Sequence, residues 1–472
     1  MTPFFFNPLP RTWLAILLLP LAASASTTID VSRGPGLEAK PMEVRLLADL
    51  PAFTPDTKPR QLSRFGGDAS KPARKATGFF RVEKVGERWW MIDPEGRLYF
   101  NNAVNAVRPA TTGSIAMKTS LNEKFGGVAP WAEQTTNLLR STGFNGVGAW
   151  SEHKSLRAIA QPLPYTVVLN VMANYRRERG GVSFTEHKTG YPEGVTFVFD
   201  PNFYPSIRKY LKTVTTDRKD PWIVGFFSDN ELPFPRDSLD CYLRLSPNEP
   251  GFQEAKRWRA AHYGKGKEPP QEIANPERDA FLAHVLATYF GTVQRALKEA
   301  FPNHMFLGSR LHGRAALNPD VWAAVAPHVD VISTNIYFQW TPPVERLKST
   351  LASINKPFMT TEWYAKGIDS GLPNNTGAGW LVPTQKDRGR FYQHFLLSLL
   401  ETGGCVGSHW FCYIDNDPED PSAGRSNIDS NKGLVNIRHQ PYTELTSSMK
   451  ELNDQVYRVM DYFDTRSGNK GR

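Results

Sequence analysis

An α/β fold with a parallel sheet curled into a closed barrel is what three features of the sequence predict. Eight short segments rich in apolar, β-branched and aromatic residues recur between residues 98 and 411, helical patterns fill the gaps between them, and neither a GxGxxG nor a P-loop follows any of the eight. Strands alternating with helices specify parallel βα units. Eight such units close a (β/α)8 TIM barrel, and the missing glycine fingerprints argue against an open nucleotide-binding sheet.

In chain order the predicted barrel strands are 98–104, 146–150, 165–171, 222–227, 305–309, 329–335, 358–362 and 406–411. The clearest helical patterns cover 278–300, 344–354 and 387–400, and a last amphipathic segment, 442–463, closes the barrel. Ahead of the first strand, 79–85 and 88–92 flank Gly86 as a hairpin, with Asp93-Pro94-Glu95-Gly96 as the next turn. The predicted organisation is a signal peptide (1–25), an N-terminal extension (26–76), the barrel (77–463) and a C-terminal tail (464–472). The extension is rich in Pro, Lys and Arg and has no clear period, so it either packs across the barrel or stays partly loose, with order beginning near Thr77.

The first residues have the pattern of an export signal. Arg11 precedes the apolar run 13–19, and Ala23-Ser24-Ala25 supplies a small-residue cleavage site. A bilayer-spanning helix needs roughly 20 apolar residues, so the run predicts a secreted or periplasmic protein without stable membrane association, an uncleaved anchor being the alternative. No Cys follows the cleavage site, and lipid attachment there is not expected. Cleavage removes one positive charge, taking the formal net charge from +9 to about +8.

The content of 12 Trp, 16 Tyr and 28 Phe is ample for a large core, and it leans toward carbohydrate, because sugar clefts use flat aromatic faces. The positive balance is spread along the chain in short groups such as Arg176-Arg177-Glu178-Arg179. Nucleic-acid binding wants Lys and Arg clustered on one element, so no nucleic-acid partner is expected; a moderate surface excess, which would also suit an anionic polysaccharide, is the simpler reading. Three cysteines make no disulfide framework. Cys405 and Cys412 lie seven apart in one apparent strand and should face opposite ways, while a bridge involving Cys241 stays open. The Cys and His spacings suit neither zinc nor a thiol nucleophile, so no metal and no cofactor are expected.

Barrel enzymes carry their catalytic groups at the C-terminal ends of the strands, and two glutamates stand there. Glu231 follows the fourth strand in Phe227-Ser228-Asp229-Asn230-Glu231, and Glu362 ends the seventh in Thr360-Thr361-Glu362-Trp363-Tyr364. Strands four and seven face each other across a barrel. Glycoside hydrolysis needs two carboxyls flanking the glycosidic bond, one protonated and one ionised.

These residues resemble clan A of the glycoside hydrolases, and more narrowly the β-agarases of glycoside hydrolase family 50. The resemblance is carried by Gly225-Phe226-Phe227-Ser228-Asp229-Asn230-Glu231-Leu232, by the run from Thr361 to Leu372, and by His409-Trp410-Phe411 with Tyr413, Asp415-Asn416-Asp417 and the stretch from Ser426 to Gly433. It covers about residues 77–463. It implies a retaining mechanism with Glu231 as acid/base and Glu362 as nucleophile, Asn230 on the sugar 2-hydroxyl, Tyr337 orienting Glu362, and His409 and Trp410 lining the subsite at the cleaved bond. The residues alone leave Tyr337 and His409 equally open as core groups with satisfied polar tips. Asn105 and Arg108 beyond strand one are candidates to bind sugar or to hold a carboxylate ionised. Trp150, Trp340, Trp363 and Trp380 are rim candidates for stacking on a pyranose. The Asp415–Asp420 run is acidic but lacks the spacing of a calcium loop.

One departure stands out: these agarases usually carry an N-terminal β-sandwich, whereas about 50 residues separate the signal from the barrel here. That shifts the expected substrate toward shorter soluble chains. Three readings remain at the level of sequence: a retaining hydrolase of β-galactosidic bonds in an agar-type galactan or its oligosaccharides, a retaining hydrolase of another β-linked glycan, and a non-catalytic carbohydrate-binding barrel. Retention of both glutamates speaks against the last.

Overall fold

Eight parallel strands form the centre of the computed structural model, which describes residues 27–182, 188–264 and 266–469. They are β1 (Asn101–Val104), β2 (Gly146–Val147), β3 (Tyr165–Val168), β4 (Ile223–Phe227), β5 (Met305–Phe306), β6 (Ile332–Asn335), β7 (Phe358–Glu362) and β8 (Cys405–Trp410). The ladder runs β5-β4-β3-β2-β1-β8-β7-β6. Its ends meet through Asp330 N donating to Phe306 O at 2.9 Å, Leu311 N to Ser333 O at 2.9 Å and Asn335 N to Leu311 O at 2.7 Å. The sheet is therefore the closed barrel that the alternation predicts. The signal segment, 1–25, lies outside the described residues.

Seven of the eight strands differ from their predicted limits, and for two of them the reason is local and plain. Leu98–Tyr99 does not continue into β1; it pairs antiparallel with Arg88–Ile92, which pairs with Arg81–Val85. The Asp93–Gly96 turn folds 98–99 back as the third strand of a meander under the barrel, and the chain turns at Phe100 before entering β1. β5 leaves its ladder early because Gly308, at φ 80°, takes a conformation suited to glycine, and its carbonyl accepts from both Ser228 N and Ser228 Oγ. That bulge re-aims the residues that follow it, Arg310 among them.

The helices used below are α1 (Asn275–Ala300), α2 (Val344–Ile354), α3 (Gln385–Glu401), α4 (Thr443–Asn453) and α5 (Val456–Asn469). The predicted 442–463 helix is thus two helices, broken where Gln455 exchanges hydrogen bonds with the backbone of Asp56. α3 is buried on almost every face, and even its polar residues are occupied: Gln393 accepts from Leu47 N and His394 from Arg45 N. Within the extension the described residues, from Thr27 on, are accordingly ordered well before Thr77. Thr28–Val31 pairs antiparallel with Lys40–Glu43, and Ser32 bridges to Leu381. Four-residue strands containing Lys40 and Pro41 leave no periodic trace; their order comes from contacts hundreds of residues away. Among the described residues no helix is long and apolar enough to cross a membrane.

Arg88 ties the meander to the helical layer. Its buried guanidinium pairs with Asp464 at 2.8 Å and donates to Leu400 O at 2.9 Å and Met460 O at 3.4 Å, joining α3 and α5. Arg88→Met keeps the stem and leaves those carbonyls unpaired, so urea unfolding followed by Trp fluorescence should show a loss of about 1–3 kcal/mol. A loss below about 0.5 kcal/mol, the level of an ordinary surface substitution, would mean that the tie is not structural.

Candidate active site

A cleft of about 960 Å³ opens over the C-terminal ends of the strands, with Glu231 and Glu362 both in its wall. The rim around it is turned sharply. Ala106, Trp150, Asn170, Glu231, Arg310 and Phe338, which follow β1 to β6 in order, all have φ between 50° and 66°. Non-glycine residues hold that conformation at a cost of roughly 1–3 kcal/mol each and cluster where a site needs them.

Glu231 is set by the residue pair before it. β4 is wholly buried, and Asp229 beyond it accepts from Met172 N at 2.9 Å, Ala173 N at 3.1 Å and Tyr289 OH at 2.7 Å. Burial pushes the Asp229 carboxyl up to about 7 against those hydrogen bonds. With Asp229 locked into the first turn of the helix Val171–Arg179, Asn230 and Glu231 emerge into the cleft. Asn335 Nδ2 donates to Glu231 Oε1 at 2.8 Å.

Glu362, the last residue of β7, is buried and held from two sides. Arg310 Nη2 lies 2.7 Å from Oε1, and Tyr337 OH donates to Oε2 at 2.6 Å. Arg310 is itself completely buried, and its Nη1 donates to Asn230 Oδ1 at 2.6 Å. Asn335 also donates to Asn230 Oδ1, at 3.4 Å, and Thr361 Oγ1 lies 2.7 Å from Asn335 Oδ1. With its oxygen doubly engaged, Asn230 keeps its amide nitrogen free of any partner among the described residues. The two carboxyls thus meet unlike surroundings. Glu362 faces a cation and a phenol. Glu231 is raised above the ordinary glutamate value by burial first and by the charge of Glu362 second, with His312, Asn335 and Arg310 pulling the other way. Such a pair, two carboxyls of unlike environment in one cleft, is able to divide acid and base roles.

Of the residues singled out from sequence, Glu231, Glu362, Asn230, Tyr337, Arg108 and Trp150 line this cleft. Six do not, and their places need correcting. Trp363 follows Glu362 and so points the opposite way, stacked on Tyr392 and Phe395 of α3 with its indole donating to Ser408 Oγ. Trp410 likewise packs against Tyr392 and Trp363, and its indole donates to Lys432 O. His409 points into the barrel interior with Nε2 2.7 Å from Asn101 Oδ1, and burial drives its pKa to about 3, so it is a neutral group under the cleft floor. Asn105 is buried, with Nδ2 donating to Thr361 O. Trp340 packs on Phe391 and donates to Glu43 O, and Trp380 packs against Phe338 with Arg33 over its ring. The guanidinium beside the carboxylate belongs to Arg310 rather than Arg108. Sequence reasoning passed over Arg310 and Asn335, as well as the cleft aromatics Tyr364 and Phe338; only the strand-end position of Asn335 marked it in advance. Asp415 is engaged by Asn431, Gly433 N and Tyr442, and Cys241, Cys405 and Cys412 are all free and buried.

No family model matches the chain. β-Agarase B of Vibrio sp. (strain JT0107) is 27% identical over 503 residues, covering 84% of this chain and 50% of the agarase, so the chain spans about half the length of that relative. Among solved structures, that of BpGH50 superposes with a TM-score of 0.81 at 27% identity over 93% of this chain and 96% of the other. The chain resembles the β-agarases of glycoside hydrolase family 50. The agarase AgWH50C, at 24% identity, has the same fold, with a TM-score of 0.69 over 85% of this chain and 67% of its own.

The electrostatics make a direct prediction. Because burial and the Glu362 charge both raise Glu231, its proton persists above the ordinary glutamate range and is lost as pH rises through the raised pKa. Glu362→Gln removes the second cause and leaves the first, so the Glu231 midpoint should fall while staying above that of a free glutamate. Carboxyl ¹³C NMR titration of the two proteins reads this; an unmoved or rising midpoint would show that the carboxyls do not sense each other.

Proposed function

We propose that the protein is a retaining glycoside hydrolase that cleaves β-galactosidic bonds of an agar-type galactan or its oligosaccharides by double displacement. The observation that carries this reading is the single cleft in which Glu231, raised in pKa, and Glu362, paired with buried Arg310, stand at the ends of β4 and β7. The likeness to proteins named β-agarase supplies the glycan. The run 13–19 with Ala23-Ser24-Ala25 supports action outside the cytoplasm.

In this reading Glu362 attacks the anomeric carbon while Glu231 gives its proton to the leaving oxygen. A glycosyl-enzyme forms, and Glu231, now ionised, takes a proton from the water that releases the sugar. Covalent chemistry of this kind calls for carboxyl groups about 5–5.5 Å apart. Arg310 and Tyr337 hold Glu362 in line for attack. The free amide nitrogen of Asn230 suits a sugar 2-hydroxyl, a contact that strengthens as charge develops. Trp150 and Phe338, both exposed and on opposite strands of the rim, offer aromatic faces to pyranose rings.

The test is reducing-sugar release from a panel of agarose, other β-galactans and β-glucans, with ¹H NMR of the first product. Agarose cleavage with the β-anomer formed first is expected. Inversion would remove the double displacement, and inactivity across the whole panel would leave a binding barrel. Roles are separated by azide. Glu231→Ala should regain turnover of an activated aryl glycoside and yield a β-glycosyl azide, whereas β-azide formed by Glu362→Ala would reverse the assignment.

A further inference from the structure

The charged lining of the cleft is lopsided. Apart from Glu231 and Glu362 its basic side chains are Arg108, Arg314, Arg346, Lys432 and His312, with no third carboxylate among the described residues that line it. Two of these cations, Arg108 and Lys432, stand near Cys412 in one wall. Arg108, in the segment after β1, makes no hydrogen bond and no ion pair with any described residue, although its Nε is fully buried. Lys432 is buried between the rings of Tyr364 and Phe411, each 5.3 Å from its ammonium. Both cations act on the thiol of Cys412, which lies in the same wall beyond β8, and Lys432 also acts on Glu362.

A buried cation needs acceptors, and the fold shows what a satisfied one looks like. Lys366, off the cleft, gives its ammonium to the three carbonyls of Asn374, Thr376 and Gly377. Lys432 has only two acceptors, Ser426 O and Asn427 Oδ1, each at 2.6 Å and each neutral. One N–H of Lys432 and the guanidinium of Arg108 thus have no acceptor among the described residues. Burial lowers Lys432 to about 8, with Cys412, Glu362 and Asp429 pulling the other way. Neutral hydroxyls do not require two charges in one wall; an oxyanion does. Guanidinium and ammonium together bind sulfate or carboxylate oxygens through charge-assisted hydrogen bonds.

We propose that Arg108 and Lys432 form a subsite for an anionic substituent on the sugar chain, a sulfate ester or a carboxylate, beside Glu362. The inference rests on the reading of the cleft as a galactan site and narrows its substrate to chains that carry charge. Asn416, whose buried Oδ1 has no partner, and Asn427 complete the polar surround.

Calorimetric titration of the Glu231→Gln protein separates the possibilities. The probes are a neutral agar-type tetrasaccharide, the same tetrasaccharide with a 6-O-sulfate, and one containing a galacturonate unit. At low salt at least one anionic sugar should bind about tenfold or more tighter than the neutral one, and whichever it is identifies the substituent. The advantage should shrink in molar salt, as partly open charge pairs are screened. Adding Arg108→Gln should cut the preference about fivefold or more; Arg108 makes no hydrogen bond or ion pair with a described residue and acts on Asp420 and Cys412 only through its charge, so thermal unfolding of the variant should match that of the parent. Neutral sugar binding as well as both anionic ones, or a preference untouched by Arg108→Gln, would overturn the subsite while leaving the hydrolase reading intact. Binding of none of the three would overturn both.

Discussion

The arrangement of this molecule turns on one completely buried guanidinium, that of Arg310, which grips Glu362 with one nitrogen and the Asn230 side chain with another. It ties the end of β7 to the end of β4 across the barrel mouth, and so fixes the two glutamate-bearing rims relative to each other. A lysine has no fork with which to span both partners. Burying an unpaired guanidinium would be severely unfavourable, so the ion pair with Glu362 is a condition of the fold as well as a feature of the site. The reach of Arg310 depends in turn on the bulge at Gly308, where β5 abandons its ladder and hands its carbonyl to Ser228.

Around that contact the strain is distributed in a regular way. Six consecutive strand ends finish on non-glycine residues in left-handed conformations. Each is tolerated because buried strands below and packed loops above over-determine it, as Asp229 does for Glu231 by clamping the start of the neighbouring helix. The barrel floor, with its meander and the Arg88 tie, is hydrogen-bonded and has no such outliers along its strands.

Much of this was legible in the sequence, and the exceptions have physical causes. Eight strands and the longest helices follow from composition and period, because a barrel buries its strands on both faces and packs helices against them. The 26–76 segment gave no such signal, since its short strands are ordered by partners such as Gln393 and His394 rather than by their own pattern. Glu231 and Glu362 were readable from position alone. Trp363, Trp410, His409 and Asn105 were not, because which way a strand-end residue points depends on register. The ladder slips between Thr334 and Asn335 and again between Phe358 and Met359. Arg310 was hidden for the same reason: only the unforeseen bulge before it turns Arg310 inward.

The central claim is that Glu362, held by Arg310 and Tyr337, becomes covalently bound to the sugar while Glu231 handles the proton. Trapping with an activated 2-deoxy-2-fluoro β-galactoside, whose glycosyl-enzyme is hydrolysed slowly, followed by peptide mass spectrometry, tests it most directly. The account predicts one label per chain, on the peptide containing Glu362 and at that residue. A label on Glu231, or no covalent adduct from a protein that turns over the same glycoside without fluorine, would contradict it.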